Sequence, residues 1–300
     1  HRKLAKLINT YTDVLQRSVL QRDGRVHATF EQTVGATGRL ITTEPDLQRT
    51  PTRTKEGKRI RQAFLAPPAH MLIVADWSQI ELRLLAHVSG DAQLVDAFTT
   101  GADVHRRTAG QIFQKPPAEV SVDERNIGKT INFATIYGQG ATALAAQLKI
   151  PRKDAERYIA SYFEAYAGVR RWLDETMATA NTRGFVETYL GRRRYIPELR
   201  SNAFMEPMAG ERIAANTPIQ GSAADICKLA MLQIDAEMRE AGLRARMILQ
   251  VHDELVFEVP VTEVEAMQRI VRERMENVVR LRVPLVADVG VGPTWADAKA

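Results

Sequence analysis

The sequence predicts an α+β chain, and three observations carry that prediction. Two apolar runs of strand length, residues 71–75 (MLIVA) and 247–259, flank a long middle section of helical periodicity. Each run ends at or is interrupted by an acidic residue, Asp76 in the first and Asp253 in the second. The middle section carries the four-residue spacing of one helix face. In chain order, residues 1–18 (HRKLAKLINTYTDVL onward) read as a helix already under way, and residues 23–53 are rich in Gly and Thr and lack a helical pattern. Residues 71–75 are a strand, and 79–88 are a helix with Ile80, Leu84 and His87 on one side. Residues 121–149 and 151–182 read as two helices separated at Pro151. Residues 186–197 are strand-like around a basic turn, and 208–242 are helical with a break at Thr217-Pro218. Residues 247–259 read as two short strands around His252-Asp253.

With 300 residues, the chain is long enough for a sizeable core and more than one domain. At 45% hydrophobic and 26% charged, its composition is that of a globular protein. The net charge of +5 comes from 41 basic and 36 acidic side chains, so placement matters more than excess. Basic residues cluster at Lys58, Arg59 and Arg61, at Arg106 and Arg107, at Arg170 and Arg171, and at Arg192 to Arg194. Such clusters fit a polyanionic partner, and equally a solvated surface. Cys227 is the single cysteine, which leaves no internal disulfide and favours a reducing compartment. No apolar run approaches the ~20 residues that cross a bilayer, and no secretory signal pattern opens the chain. Because it opens at His1 inside a helix, the chain is expected to be a piece of a longer protein.

Asp76 stands at the carboxyl end of a strand and before a helix. Ser78 to Glu81 also matches a capping box, an ordinary reason for acids near a helix start. Asp253 is open to a similar reading as a turn residue, although His-Asp is not a favoured two-residue hairpin pair. Two carboxylates brought together repel unless a cation neutralises them. Mg²⁺ commonly shares one or two carboxylates with substrate phosphates. Between the aspartates, RNIGKTINFATIYG places Arg125, Lys129, Phe133 and Tyr137 four residues apart. On a helix these form a stripe of roughly 18 Å running cation, cation, aromatic, aromatic. Cations suit phosphates and aromatic rings suit bases, so a nucleoside triphosphate fits along it. The competing reading is an amphipathic helix with both rings turned to the core.

Taken together and in this order, these motifs resemble the family A (DNA polymerase I-like) DNA polymerases over nearly the whole chain. DWSQIELR resembles the first catalytic motif, RNIGKTINFATIYG the nucleotide-binding helix and VHDELV the third motif. ATGRL, GRRRYIP and NTPIQGSAADICKLAM add further matches. The resemblance implies the right-hand polymerase fold. Its antiparallel-sheet palm would be built from 19–78 and 203–300, its helical fingers from 79–202, and 1–18 would be a remnant of a largely missing thumb. It implies template-directed DNA synthesis on a primer–template with deoxynucleoside triphosphates. Asp76 and Asp253 would bind two Mg²⁺ ions, for which Mn²⁺ can substitute, with the Trp77 carbonyl as a further ligand and Glu254 as an auxiliary carboxylate. Arg125 and His105 would hold the outer phosphates; Lys129 would contact the inner ones and protonate the leaving pyrophosphate. Phe133 would pack on sugar and base, and Tyr137 would sit at the template-base position. Glu81 would exclude ribonucleotides, with Gln79 beside it among the nucleotide-binding residues. Arg39, Asn216, Gln220 and His252 would touch the primer–template through minor-groove acceptors common to every base pair. A monomer in the cytoplasm, at the nucleoid if bacterial, is implied, with organellar or viral origin left open.

Some positions depart from the family pattern. Trp77 stands where Tyr is usual, Glu31 where Asn is usual, Asp46 and Arg49 where Asn is expected, and Pro207 where relatives tend to carry Arg. Upstream nuclease and proofreading domains and most of the thumb are not in the sequence, which predicts weak, distributive synthesis. Two competing functions fit the residues less well. A single-subunit RNA polymerase is opposed by Glu81 and by Phe133 in place of Tyr. A non-catalytic DNA-binding remnant has no need of paired carboxylates.

Overall fold

The structure, a computed structural model, describes residues 5, 7–19, 23–51, 54–202 and 206–299. It divides into two compact units, His1–Ser78 with Ile226–Val278 and Val286–Ala300, and Gln79–Asp225 with Val279–Leu285. Among the described residues there are eight strands: β1 Thr29–Glu31, β2 Ile41–Thr43, β3 His70–Trp77, β4 Phe185–Glu187, β5 Arg193–Tyr195, β6 Arg246–Val251, β7 Glu254–Pro260 and β8 Ala287–Gly292.

The first unit is built on a four-stranded antiparallel sheet in the order β6-β7-β3-β8. Alternation along β3 gives the sheet two different faces. Leu72 and Val74 join Val256, Leu249, Val251 and Trp295 in one apolar cluster. Ile73, Ala75 and Trp77 point the other way and are buried, on the side of Met267, Ile270, Val271 and Met275 of helix Val264–Asn277. β7 is buried along its whole length, its apolar residues Leu255, Val256, Phe257 and Val259 together with Glu254 and Glu258. Asp76 falls on the same face as Leu72 and Val74, directly opposite Glu254 on one neighbouring strand and Asp288 on the other.

The second unit is helical apart from the β4–β5 hairpin. Helix Val122–Ile136 crosses helix Val104–Phe113 at Gly128, where an added Cβ would come within 2.4 Å of the His105 carbonyl oxygen. Gly128 therefore sets how closely these helices approach.

Several helix limits differ from the sequence reading, each for a physical reason. The span 121–149 holds two helices, Val122–Ile136 and Ala141–Leu148, because Gly138 takes φ +59° between them. The span 151–182 divides at Tyr166, after which Gly168 donates its N–H to Asp91 Oδ2 at 2.9 Å. A Cβ at Gly168 would sit 2.8 Å from the Asp91 Cα. Conversely, Glu206–Glu240 is one helix that passes through Pro218 without ending. Proline in a helix interior costs about 3 kcal/mol. Burial of Ala214, Ala215, Ile219, Ala223 and Ala224 around it offsets that cost. The sequence reading also passed over helices Ala92–Thr99, Val104–Phe113 and Val264–Asn277, and strand β8. Of the opening helix, residues 1–4 and 6 lie outside the described residues. Residues 8–12 are π-helical and 13–18 α-helical. No helix among the described residues is long and apolar enough to cross a membrane.

Candidate active-site residues and their family

The sheet of the first unit brings acids together. β6 and β7 are joined by the two-residue turn His252-Asp253, with His252 at φ +58°. A non-glycine residue in the left-handed region costs on the order of 1 kcal/mol, and such strain gathers at functional sites. The Asp253 carbonyl accepts the Trp77 backbone N–H at 3.3 Å, which ties the turn to the end of β3 beside Asp76. Asp76 Oδ1 is buried without a hydrogen-bond partner, while Oδ2 accepts from Lys299 Nζ at 3.2 Å. Burial, and after it the negative charge of Asp253, raises the Asp76 pKa to about 6. The Trp77 indole turns away from this face and donates to the Met275 carbonyl at 2.9 Å. Replacing Tyr by Trp there thus changes the core and not the acidic face.

Glu254 is buried, and both of its oxygens are engaged. Oε1 accepts from Arg61 Nη1 at 3.2 Å and Trp295 Nε1 at 2.7 Å, and Oε2 accepts from Lys299. The Arg61 guanidinium lies 3.8 Å from the centroid of the Trp295 ring. The sequence shows Arg61 only as part of a basic cluster and does not link Arg61, Trp295 or Lys299 to Glu254, because they come from a helix and from the chain after β8, far from Glu254 in sequence.

Two acids with an unpaired buried oxygen between strands fit a divalent cation, whose hard charge suits carboxylate oxygen. Among the described residues, no three His, Cys, Asp or Glu side chains group to hold an ion by themselves.

In the second unit, the buried face of helix Val122–Ile136 is carried by Gly128, Ile131, Asn132, Ala134 and Thr135. Lys129 is exposed, Phe133 half-buried and Tyr137 exposed at the helix end. Arg125 is held by Asp103 (Nε to Oδ2 2.6 Å), and Asp103 also caps helix Val104–Phe113. Phe133 and Tyr137 stack with centroids 6.2 Å apart. The Tyr137 hydroxyl donates to Glu81 Oε2 at 2.9 Å. The residue that precedes the helix is Gln79 and not Ser78, at φ +56° and with no side-chain cap bond of its own. His105 is 2% exposed, and burial, then the Arg125 charge, lower its pKa to about 4. Beside Tyr137 lies a cavity of about 810 Å³ lined by Gly138, Phe163, Met177, Met208 and Arg212, which the sequence did not reveal.

Asn216 and Gln220 are half-buried in helix Glu206–Glu240, and Asn216 Oδ1 is buried without a partner. Arg39 and His252 belong to the first unit, where partial burial and then the Arg39 charge lower the His252 pKa. Among the departures, Arg49 pairs with Asp46 at 3.0 Å, so the added base and acid offset each other. Pro207 falls in the first turn of its helix, where its missing N–H forfeits no helical bond.

A family model described as DNA polymerase family A matches residues 1–297. The chain belongs to that family. It is 49% identical to DNA polymerase I of Pseudomonas aeruginosa over 298 residues, covering 99% of this chain and 33% of that protein. It is 46% identical to the thermostable DNA polymerase I of Thermus aquaticus, covering 100% of this chain and 36% of that one. Among solved structures it matches the POL domain of Pol1 from M. smegmatis, in complex with DNA primer-template and dNTP. That match has a TM-score of 0.96 and 46% identity, over 99% of this chain and 52% of the other. The fold, mixed helix and antiparallel sheet, is that of a family A polymerase domain. The chain spans about a third of the length of the curated relatives it matches.

Proposed function

We propose that this chain carries template-directed DNA synthesis, adding deoxynucleotides to a primer 3′-hydroxyl and releasing pyrophosphate. The observation that carries the reading is Asp76: a strand-end carboxylate with one buried, unpaired oxygen, facing Asp253, in a chain of the polymerase family. Residues 19–78 and 203–300 would be the palm, 79–202 the fingers and 1–18 a thumb remnant. Asp76 and Asp253, with the Trp77 carbonyl, would hold two Mg²⁺ ions, and Mn²⁺ would serve in their place. Bound there, the ions supply a lower pKa for the primer hydroxyl and charge neutralisation for pyrophosphate.

The side chains do the rest by position and fixed charge. Glu254 holds Arg61 and Lys299 beside Asp76 and so sets the charge of the acidic face. Arg125 and His105 would grip the outer phosphates. Lys129, exposed and without an ion pair among the described residues, would contact the inner phosphates and give a proton to the leaving pyrophosphate. Phe133 would cover sugar and base. Glu81, with Gln79, would close the space a 2′-hydroxyl needs, and its bond to the Tyr137 hydroxyl holds it in place. Tyr137 would occupy the template-base position until the nucleotide arrives. Arg39, Asn216, Gln220 and His252 would read pair shape in the primer–template. The protein would work as a monomer in the cytoplasm.

The test is single-turnover primer extension with excess protein, Mg²⁺ and one correct dNTP at low salt, where phosphate contacts are strongest. One-nucleotide extension by the parent, and none by an Asp76→Ala, Asp253→Ala variant, is the expected result. Equal extension by both would refute the assignment.

A further inference from the structure

A buried polar chain in the second unit ends at His105. Asn132 is fully buried, as is Thr108, and Tyr166 is 2% exposed. The Asn132 amide nitrogen lies 3.0 Å from the Gly128 carbonyl, 2.9 Å from Thr108 Oγ1 and 3.2 Å from His105 Nδ1. Its orientation is fixed, because a flipped amide would put Oδ1 against the Gly128 carbonyl oxygen. An amide nitrogen carries two hydrogens and accepts none. A protonated Nδ1 would meet those hydrogens head on, so Nδ1 must carry the lone pair. Thr108 Oγ1 has two acceptors for its one hydrogen, the Val104 carbonyl at 2.8 Å and Asn132 Oδ1 at 3.2 Å, and the shorter bond goes to Val104. The Tyr166 hydroxyl, 2.9 Å from Thr108 Oγ1, can satisfy that oxygen as a donor. One Asn132 hydrogen then serves Gly128, and the other is free for His105.

We propose that Asn132 is a positioning residue that fixes His105 as the Nε2–H tautomer, so that the ring offers a neutral donor to a nucleotide phosphate oxygen. This rests on the phosphate role given to His105 above. In the opposite tautomer Nε2 would present a lone pair, which repels a phosphate. The interior position of the chain keeps the ring neutral, in agreement with its lowered pKa. Among the described residues Nε2 makes no hydrogen bond, so it is the ring atom left for a ligand.

The proposal is tested first on the parent protein by long-range ¹H–¹⁵N correlation NMR. His105 is identified among the six histidines by the resonance lost in His105→Gln. Protonated Nε2 and bare Nδ1 are expected; a protonated Nδ1 at neutral pH overturns the proposal without any variant. Asn132→Asp, which offers an acceptor in place of the donor, is expected to move the proton to Nδ1 or to charge the ring. It should also weaken Mg²⁺-dNTP binding about tenfold, the worth of one such hydrogen bond. In the His105→Gln background, where the amide supplies a donor regardless, Asn132→Asp should change affinity less than about twofold. A tautomer that shifts as expected while affinity does not would overturn the phosphate part of the proposal. A parent that binds no dNTP at all would instead count against the polymerase reading itself.

Discussion

The acidic face of the first unit and the cationic stripe of the second handle charge in opposite ways. On the sheet, Asp76, Glu254 and Asp288 stand side by side on three strands, and cations of the same unit already answer part of their charge. Lys299 spans Asp76 and Glu254, and Arg61 is buried against Glu254. On the helix, Lys129 is exposed, and Arg125, tied to Asp103, is still about a third exposed. A sheet fixes its groups rigidly and must neutralise them before any ligand comes. A helix face can leave its cations in water, where exposure costs little. The contrast suits a site that keeps a small ion and one that takes up and releases a large anion.

The sharpest way to break this comparison is to remove the sheet carboxylates. Asp76→Asn or Asp253→Asn should each lower single-turnover extension by about a thousandfold or more, the scale of a lost fixed-charge partner of the transition state. A loss below about tenfold would show that the acidic face is not where chemistry happens. Next in size is Glu254→Gln, which strands a buried guanidinium. It should cost about 3 kcal/mol in urea unfolding, and an unchanged midpoint would mean that Arg61 finds another partner.

The stripe region should show its own signature in pH. The folded pKa of His105 lies below its unfolded value, so the stability it contributes is fully present above about pH 6.5. That contribution is lost as pH falls toward 4, because only the unfolded chain then takes up the proton readily. The parent should lose about 2 kcal/mol across that window that His105→Gln does not lose. Parallel curves for the two proteins would place the imidazole in water. The smallest effect concerns Lys299. Lys299→Met should tighten Mn²⁺ binding about fivefold, near 1 kcal/mol for a half-exposed pair. Weaker binding would mean that Lys299 helps to hold the site and does not compete for it.

The two regions also differed in how far the sequence disclosed them. The stripe was legible because a helix repeats every few residues, so Arg125, Lys129, Phe133 and Tyr137 announced a common face. Asp76 and Asp253 stood out as acids in apolar runs. What stayed hidden depends on contacts between segments distant in sequence, through strand register in one case and tertiary packing in the other. Nothing local pairs Asp76 with Asp288, or Glu254 with Arg61, Trp295 and Lys299. Helix limits failed where packing outweighs propensity, as at Pro218 within a buried stretch, and at Gly168, pressed against Asp91. His105 illustrates a third case. Its phosphate role came from family resemblance, and its burial against Asn132 could not be read from one turn of either helix.

The central claim is that the acidic face binds divalent cations through Asp76 and Asp253. It is tested most directly by titrating Mn²⁺ into the parent and an Asp76→Asn, Asp253→Asn variant, with and without dNTP, and counting bound ions by electron paramagnetic resonance. The account predicts ions bound to the parent, more of them with dNTP present, and none at this site in the variant. Equal binding by the two proteins would contradict it.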